Sequence, residues 1–336
     1  MTRTPHIVLA LLCFTACSQT LTVTEPRELS LRAVAAAPTK ADPELNGSSL
    51  GTDNTYVIRA STSTYNTPGS APATYFEDQL FTYDGTDAKW HADPEPIYWP
   101  LSSVQVDFLA LALKPAAYTA LTTAPGTLAF NEASQGGAAG GVTISGWDTY
   151  ANQYDVMYAV SNGQSVGSST AGTIPLTFAH TMAVVGFTAK CSTGLGIFTI
   201  KSMQINGLDY AGTLKVDNTN TELTSIWSSL TSGDKPLSLT ATPFTVPGAS
   251  ATGDAIKLTD HLLVIPQASR SVTVTYHVVN SIPDLTVTLP LPRLNWKAGY
   301  RYTYNLTFNG TEILVDPVSV TDWNGTPVDV TTLLSN

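Results

Sequence analysis

The chain has 336 residues, of which 43% are hydrophobic and only 12% charged, against about 25% charged in an average soluble protein. That hydrophobic content excludes a disordered chain, and 26 acids against 16 bases, a formal charge of −10, exclude a nucleic-acid partner, which needs a basic face. Thr, Ser, Gly, Asn and Pro replace the missing charge, a mixture that favours strands and turns over surface helices, and the length predicts about two domains.

Residues 1–17 read as a secretory signal peptide. Arg3 gives the positive start and Ile7 to Phe14 the apolar run, too short for a spanning helix of about 20 residues. Phe14-Thr15-Ala16-Cys17 resembles a bacterial lipobox, with Phe14 where Leu is usual. It predicts cleavage before Cys17 and lipid on Cys17. Ser18 follows, with no acidic residue to favour inner-membrane retention, so the expected address is the outer membrane, held by several acyl chains. The other reading is an ordinary signal peptide in which Cys17 is incidental. Of the three cysteines, Cys13 leaves with the signal and Cys17 takes lipid. Cys191 is then alone, forms no disulfide, and reads as a small buried hydrophobe.

A tether and a first strand occupy residues 18–40. From Glu28 to Ala35 a period-two pattern sets Leu29, Leu31, Ala33 and Ala35 on one face and Ser30 and Arg32 on the other. Pro38, Pro43 and Gly47 then break the chain. Thr55 to Thr62 is rich in β-branched and aromatic residues, a strand. Phe81 to His91 reads as a hairpin around Asp84-Gly85. Val104 to Leu111 begins in alternation and turns wholly apolar, as a buried strand does. Residues 114–172 are weaker, apart from a strand at Tyr154 to Val160. A new apolar series opens at Pro175, which places the domain boundary near Gly172, between sandwiches at 41–172 and 173–336. The second half repeats short stretches rich in Thr, Val, Ile and Tyr, such as Ser271 to Val279 and Tyr300 to Phe308, with a short helical turn expected over 219–230. Many short strands at regular spacing predict an all-β fold of β-sandwiches.

Little chemistry is visible. His6 leaves with the signal, and His91, His180, His261 and His277 show no HExxH spacing; there is no CxxC, so no metal site is expected. His180, within Phe178-Ala179-His180, reads as a satisfied structural histidine. No GxSxG elbow appears, and the glycine run at 136–141 has no following Lys-Ser/Thr to cradle phosphate. The carboxylate pairs Asp84/Asp87 and Asp93/Glu95 sit in turn-like stretches and read as solvated loops rather than glycosidase acids. Six tryptophans are either core fillers or sugar-stacking platforms, with the core reading favoured. The expectation is therefore no enzyme and no cofactor.

Four stretches together resemble the fimbrillin (Mfa-like) family of Bacteroidales pilus proteins. They are Tyr98-Trp99-Pro100 leading to Val106-Asp107-Phe108-Leu109-Ala110; Leu176 to Val185 (LTFAHTMAVV); Leu263-Val264-Ile265-Pro266-Gln267 followed by Val272 to Tyr276; and Trp296 to Leu306 running on to Val318-Ser319-Val320-Thr321-Asp322-Trp323. The resemblance implies two transthyretin-like β-sandwich domains of Greek-key type in tandem, and a subunit of a type V pilus serving adhesion to a host or bacterial surface ligand. It further implies export as a lipoprotein and removal of the first strand by a trypsin-like protease. The C-terminal strand of a neighbouring subunit then fills the vacated groove, in a head-to-tail polymer. In this sequence the removable edge strand is Glu28 to Ala35. The cut aligns with Lys40-Ala41, where the family has Arg before Ala; Arg32-Ala33 has the right chemistry but lies inside the strand. The donor strand is Val328 to Leu334, with Val328, Val330 and Leu334 on one face, unless that tail is an ordinary last strand of its own domain. The rival reading is a surface glycan-binding lipoprotein that does not polymerise.

Overall fold

The computed structural model describes residues 26–35, 55–63, 73–100, 105–123, 127–131, 141–167, 172–192, 198–218, 226–241, 244–246, 255–259, 261–278, 283–309, 312–322 and 327–333. The expected signal segment, Cys17, Lys40-Ala41 and Leu334 lie outside the described residues.

Strands dominate. The first half runs β1 (Ser30–Ala35), β2 (Thr55–Ser63), β3 (Ala73–Asp84), β4 (Lys89–Asp93), β5 (Gln105–Leu113), helix α1 (Pro115–Thr123), β6 (Leu128–Asn131), β7 (Gly141–Asp148), β8 (Met157–Gln164) and β9 (Thr173–His180). The second runs β10 (Ala183–Cys191), β11 (Phe198–Asp217), β12 (Trp227–Pro236), β13 (Phe244–Val246), β14 (Ile256–Lys257), β15 (Leu262–Val264), β16 (Gln267–Ala268), β17 (Ser271–Val278) and β18 (Leu285–Pro290). It continues through β19 (Asn295–Trp296), β20 (Tyr300–Asn309), β21 (Glu312–Val315) and β22 (Ser319–Asp322) to a 3-10 turn at Val330–Leu333.

Seven strands of the first half close on themselves in the order β1-β4-β3-β2-β5-β8-β9. Leu29, Leu31, Trp90, Phe108, Leu176 and Phe178 help to fill the interior. In the second half two sheets face each other. One is β14-β10-β20-β21 with β15 and β22; the other is β18-β17-β11-β7-β6 with β12 and β13. Between them Phe187, Phe198, Tyr276, Tyr302, Tyr304 and Phe308 are buried. The Phe308 ring lies 5.2 Å from Phe198 and 5.5 Å, edge-on, from Tyr276, the tilted geometries aromatic pairs favour. The all-β sandwich reading holds.

β5 accounts for its own sequence. Phe108, Ala110 and Ala112 point into the ring. Leu109, Leu111 and Leu113 point outward, into a third core shared with Ala117 and Leu121 of α1, Trp147 of β7 and Val184 of β10. A strand buried on both faces has no polar side to alternate with. That third core joins the two halves.

The expected boundary at Gly172 meets a different arrangement. β9, which follows it, pairs with β1 and β8 inside the first ring. β6 and β7, which precede it, are carried into the second half's sheet by β7–β11 pairing. The cause is the 20-residue β11: its first part pairs with β17 and its last with β7. The chain crosses between halves at Thr181-Met182, both fully buried. There Trp227 Nε1 donates to Thr181 O (2.9 Å) and Gly299 N to Met182 O (2.9 Å). His180 is indeed structural: buried, with its Nδ1 against the buried carboxylate of Asp155.

Other expectations divide. Trp90, Trp99, Trp147, Trp227 and Trp296 are all under 10% exposed, so these five are core residues and not platforms. Cys191 is buried, and burial pushes its thiol up from the ordinary value. The helical turn expected over 219–230 is corrected at its described end, since Trp227 opens β12, paired to Leu214 of β11. Helix α1 was not expected.

Candidate functional site

The first strand is held by two neighbours. β1 runs antiparallel to β4 through Ser30↔His91 and Leu31↔Trp90. It runs parallel to β9 from Ser30↔Thr173 to Ala35↔Phe178. It is therefore not an edge strand, as expected from the sequence, but the strand that closes the ring. Its removal would leave two open edges, each with unpaired N–H and C=O groups. Leu29 and Leu31 are 0% and 1% exposed, so removal would also open an apolar slot lined by Trp90, Trp99, Ile174 and Leu176. Fully burying two leucines is worth about 1.5–3 kcal/mol each.

Polar contacts fix the strand's entry. Leu29 N donates to Ile97 O (2.7 Å) and Trp99 N to Arg27 O (2.9 Å). Trp99 Nε1 donates to Gly172 O (2.8 Å), and the Ser30 and Thr173 hydroxyls meet at 3.0 Å. Gly172 has φ +81°, and a Cβ there would lie 2.8 Å from Glu28 O. Only glycine allows both that dihedral and that approach. His91 Nδ1 lies 2.8 Å from Glu28 Oε1, and its Nε2 lies 3.2 Å from Asp87 Oδ1 and from Oδ2. Burial lowers the His91 pKa, but the bonds to Glu28 and Asp87 outweigh it and the net shift is upward. The sequence singled out Leu29 and Leu31. It gave no sign of His91 or Gly172 in this role, because their contacts are long-range.

The two candidate cleavage points differ. Arg32-Ala33 lies in the middle of β1, in register with Pro175-Leu176 of β9, with the Arg32 side chain exposed. A protease needs a free extended segment, so β1 must leave its neighbours before that bond is cut. Lys40-Ala41 is outside the described residues.

The tail is not extended here. Val328 N donates to Val320 O (3.0 Å), and the chain then turns over Val330–Leu333. Asp329 Oδ1 accepts from Thr331 N (3.0 Å) and Thr331 Oγ1 (2.8 Å), an Asx arrangement that favours a turn over a strand. Leu333 is 2% exposed, and Val328 and Val330 pack half-buried on the same second-half core. The expected strand at Val328 to Leu334 is thus corrected for the isolated chain: the tail is docked on its own domain as a turn. The carboxylates Asp84, Asp87, Asp93 and Glu95 are exposed; Asp84 and Asp93 end β3 and β4, and Asp87 and Glu95 lie in the connections that follow.

The sequence matches a family model described as fimbrillin-like over residues 46–323. No curated protein matches it. A Bacteroides uniformis structure, described as a candidate cell adhesion protein, shares 16% identity, with 88% of this chain and 99% of that one covered at a TM-score of 0.51. The tip fimbrial protein Mfa3 of Porphyromonas gingivalis, truncated at its C-terminus, shares 10% identity over 88% of this chain and 99% of that one, TM-score 0.39. A fimbrial assembly protein of Parabacteroides distasonis shares 11% over 88% and 96%, TM-score 0.39. The first of these shows a common fold.

Proposed function

Because this chain belongs to the fimbrillin-like family, we propose that it is a structural or accessory subunit of a cell-surface fimbria serving adhesion, assembled by donor-strand exchange. On this reading it is exported as an outer-membrane lipoprotein on Cys17. A trypsin-like protease then cuts after Lys40, so that all of β1 leaves, or after Arg32, so that its first half leaves with Leu29 and Leu31. The tail of a neighbouring subunit takes its place beside β9, and repetition of one head-to-tail contact builds an open filament.

The observation that carries the reading is the position of β1. It is the first described strand, it closes the ring between two others, and Leu31 within it and Leu29 just before it are buried. A strand at the chain's start that fills a slot between two edges is a replaceable part. Drawn out from its turn, the tail sets Val328, Val330 and Leu334 on one face and Asp329, Thr331 and Leu333 on the other. Leaving that turn costs the burial of Leu333, which the slot would offset.

Deletion of residues 328–336 tests this in the producing cell. The expected result is loss of the polymer ladder on unheated gels while the monomer is still exported. A ladder that persists would refute the donor role.

A further inference from the structure

Away from β1, a cleft of about 300 Å³ opens beside the junction of the two halves. Its walls are Tyr150 and Gln153 from the β7–β8 connection, Pro236 to Ser238 after β12, and Thr259, His261 and Leu262 around the start of β15. These walls are fixed in place. Tyr150 donates through its hydroxyl to Pro236 O (2.8 Å). Gln153 Oε1 accepts from Leu263 N (2.8 Å) and its Nε2 donates to Leu263 O (3.3 Å). Tyr150 N and Ala151 N both donate to Asp148 Oδ1 at 2.9 Å. A site held this way is pre-formed, so a ligand loses little to ordering it.

Two further residues mark the cleft. Lys235 Nζ stands 3.3 Å from the Tyr210 ring centre and 4.8 Å from that of Tyr150. Among the described residues it has no carboxylate partner. Thr259 is 2% exposed and its hydroxyl is sealed from solvent, so it shapes the wall and makes no contact with a ligand. None of the described lining residues is acidic. The cleft therefore offers an aromatic ring, neutral groups and, at its rim, a cation held over two tyrosine rings with no carboxylate partner among the described residues. That set suits a ligand with an apolar ring face, several hydroxyls and one carboxylate.

We propose that the cleft at Tyr150, Ser238 and Thr259 binds an acidic saccharide unit, a hexuronate, with its ring against Tyr150 and its carboxylate toward Lys235. The volume is at the small end of ligand sites, room for one or two sugar residues. The proposal leans on the fimbrial reading only for where such a sugar would be met.

The test titrates the purified full-length chain with trigalacturonate and, separately, with neutral galactotriose, by calorimetry. Saturable binding of trigalacturonate is expected, with galactotriose clearly weaker. Tyr150→Ala should weaken it by about three- to tenfold, the effect of losing one stacked ring, and Lys235→Gln by a similar factor. Ser238→Trp, at an exposed position, should block the cleft without touching the core. Circular dichroism and melting checks that each variant is folded. No saturable binding by folded protein, binding that ignores all three substitutions, or equal affinity for the neutral sugar would each overturn the proposal. The same variants should keep their polymer ladders, so a failure here and a failure of the fimbrial reading give different results.

Discussion

Gly172 and Glu28 meet backbone to backbone: a Cβ on Gly172 would stand 2.8 Å from the Glu28 carbonyl oxygen, at a φ of +81°. This contact fixes where the first strand enters the ring, directly before Leu29 and Leu31 go into the core. Gly172→Ala should therefore destabilise more than a positive φ alone explains. Gly299, at φ +78° with open space around it, is the control, and Gly299→Ala should cost about 1–2 kcal/mol. Gly172→Ala should cost visibly more by chemical denaturation and should also speed proteolysis within β1. Equal costs would mean that the close approach is unimportant.

Leu31 should behave as a core residue of a segment that is easily lost. Leu31→Ala removes a side chain 1% exposed and should cost about 2–5 kcal/mol. Arg32→Ala, one residue on and exposed, should stay within about 0.5 kcal/mol. Thermal melts of the uncleaved chain check both.

His91 makes the docking of the N-terminal segment depend on pH. Its pKa in the folded chain is above the ordinary 6.5. Stability from the contact with Glu28 is thus fully present below pH 6.5 and is lost as pH rises through the folded value. The pair is partly exposed, so the effect is small, about 0.5–1 kcal/mol. The stability difference between wild type and His91→Gln should be largest near pH 6 and shrink above pH 8. A difference that stays flat would remove His91 from this role.

Asp155 and His180 form a buried pair at the crossing between halves. Breaking it should cost about 3–5 kcal/mol, the effect of removing one member of a buried pair. Asp155→Ala, followed by calorimetry, should lower the melting temperature of the whole chain in one transition, since the third core couples the halves.

What the sequence reveals and what it hides follow from the range of the contacts. β5 is legible: its change from alternation to continuous apolar residues is the signature of a strand with two buried faces. Leu29 and Leu31 are legible for the same reason, as a local period. Helix α1 is not, because Pro115–Thr123 has no charged residues and its threonines bond back into the helix, Thr119 Oγ1 to Pro115 O and Thr123 Oγ1 to Thr119 O at 2.9 Å; Pro at its first position was the available signal. The parallel pairing of β1 with β9 joins residues more than 140 positions apart in the chain, and no local pattern encodes it. In the tail, the alternation of Val328 and Val330 suggested a strand, while the Asp329–Thr331 spacing, the mark of an Asx turn, decides the isolated state. The long-range pair of His91 and Glu28 left no sequence trace at all.

The central claim is that the segment carrying Leu29 and Leu31, with all or the first half of β1, is removed from the working subunit. Intact mass and N-terminal sequencing of the protein from the producing cell's envelope test it most directly. The account predicts a polymer-associated form that starts at Ala41 or Ala33. A lipid-modified start at Cys17 with no shorter form would contradict it, because the chain would then keep its own strand and the slot beside β9 would never open.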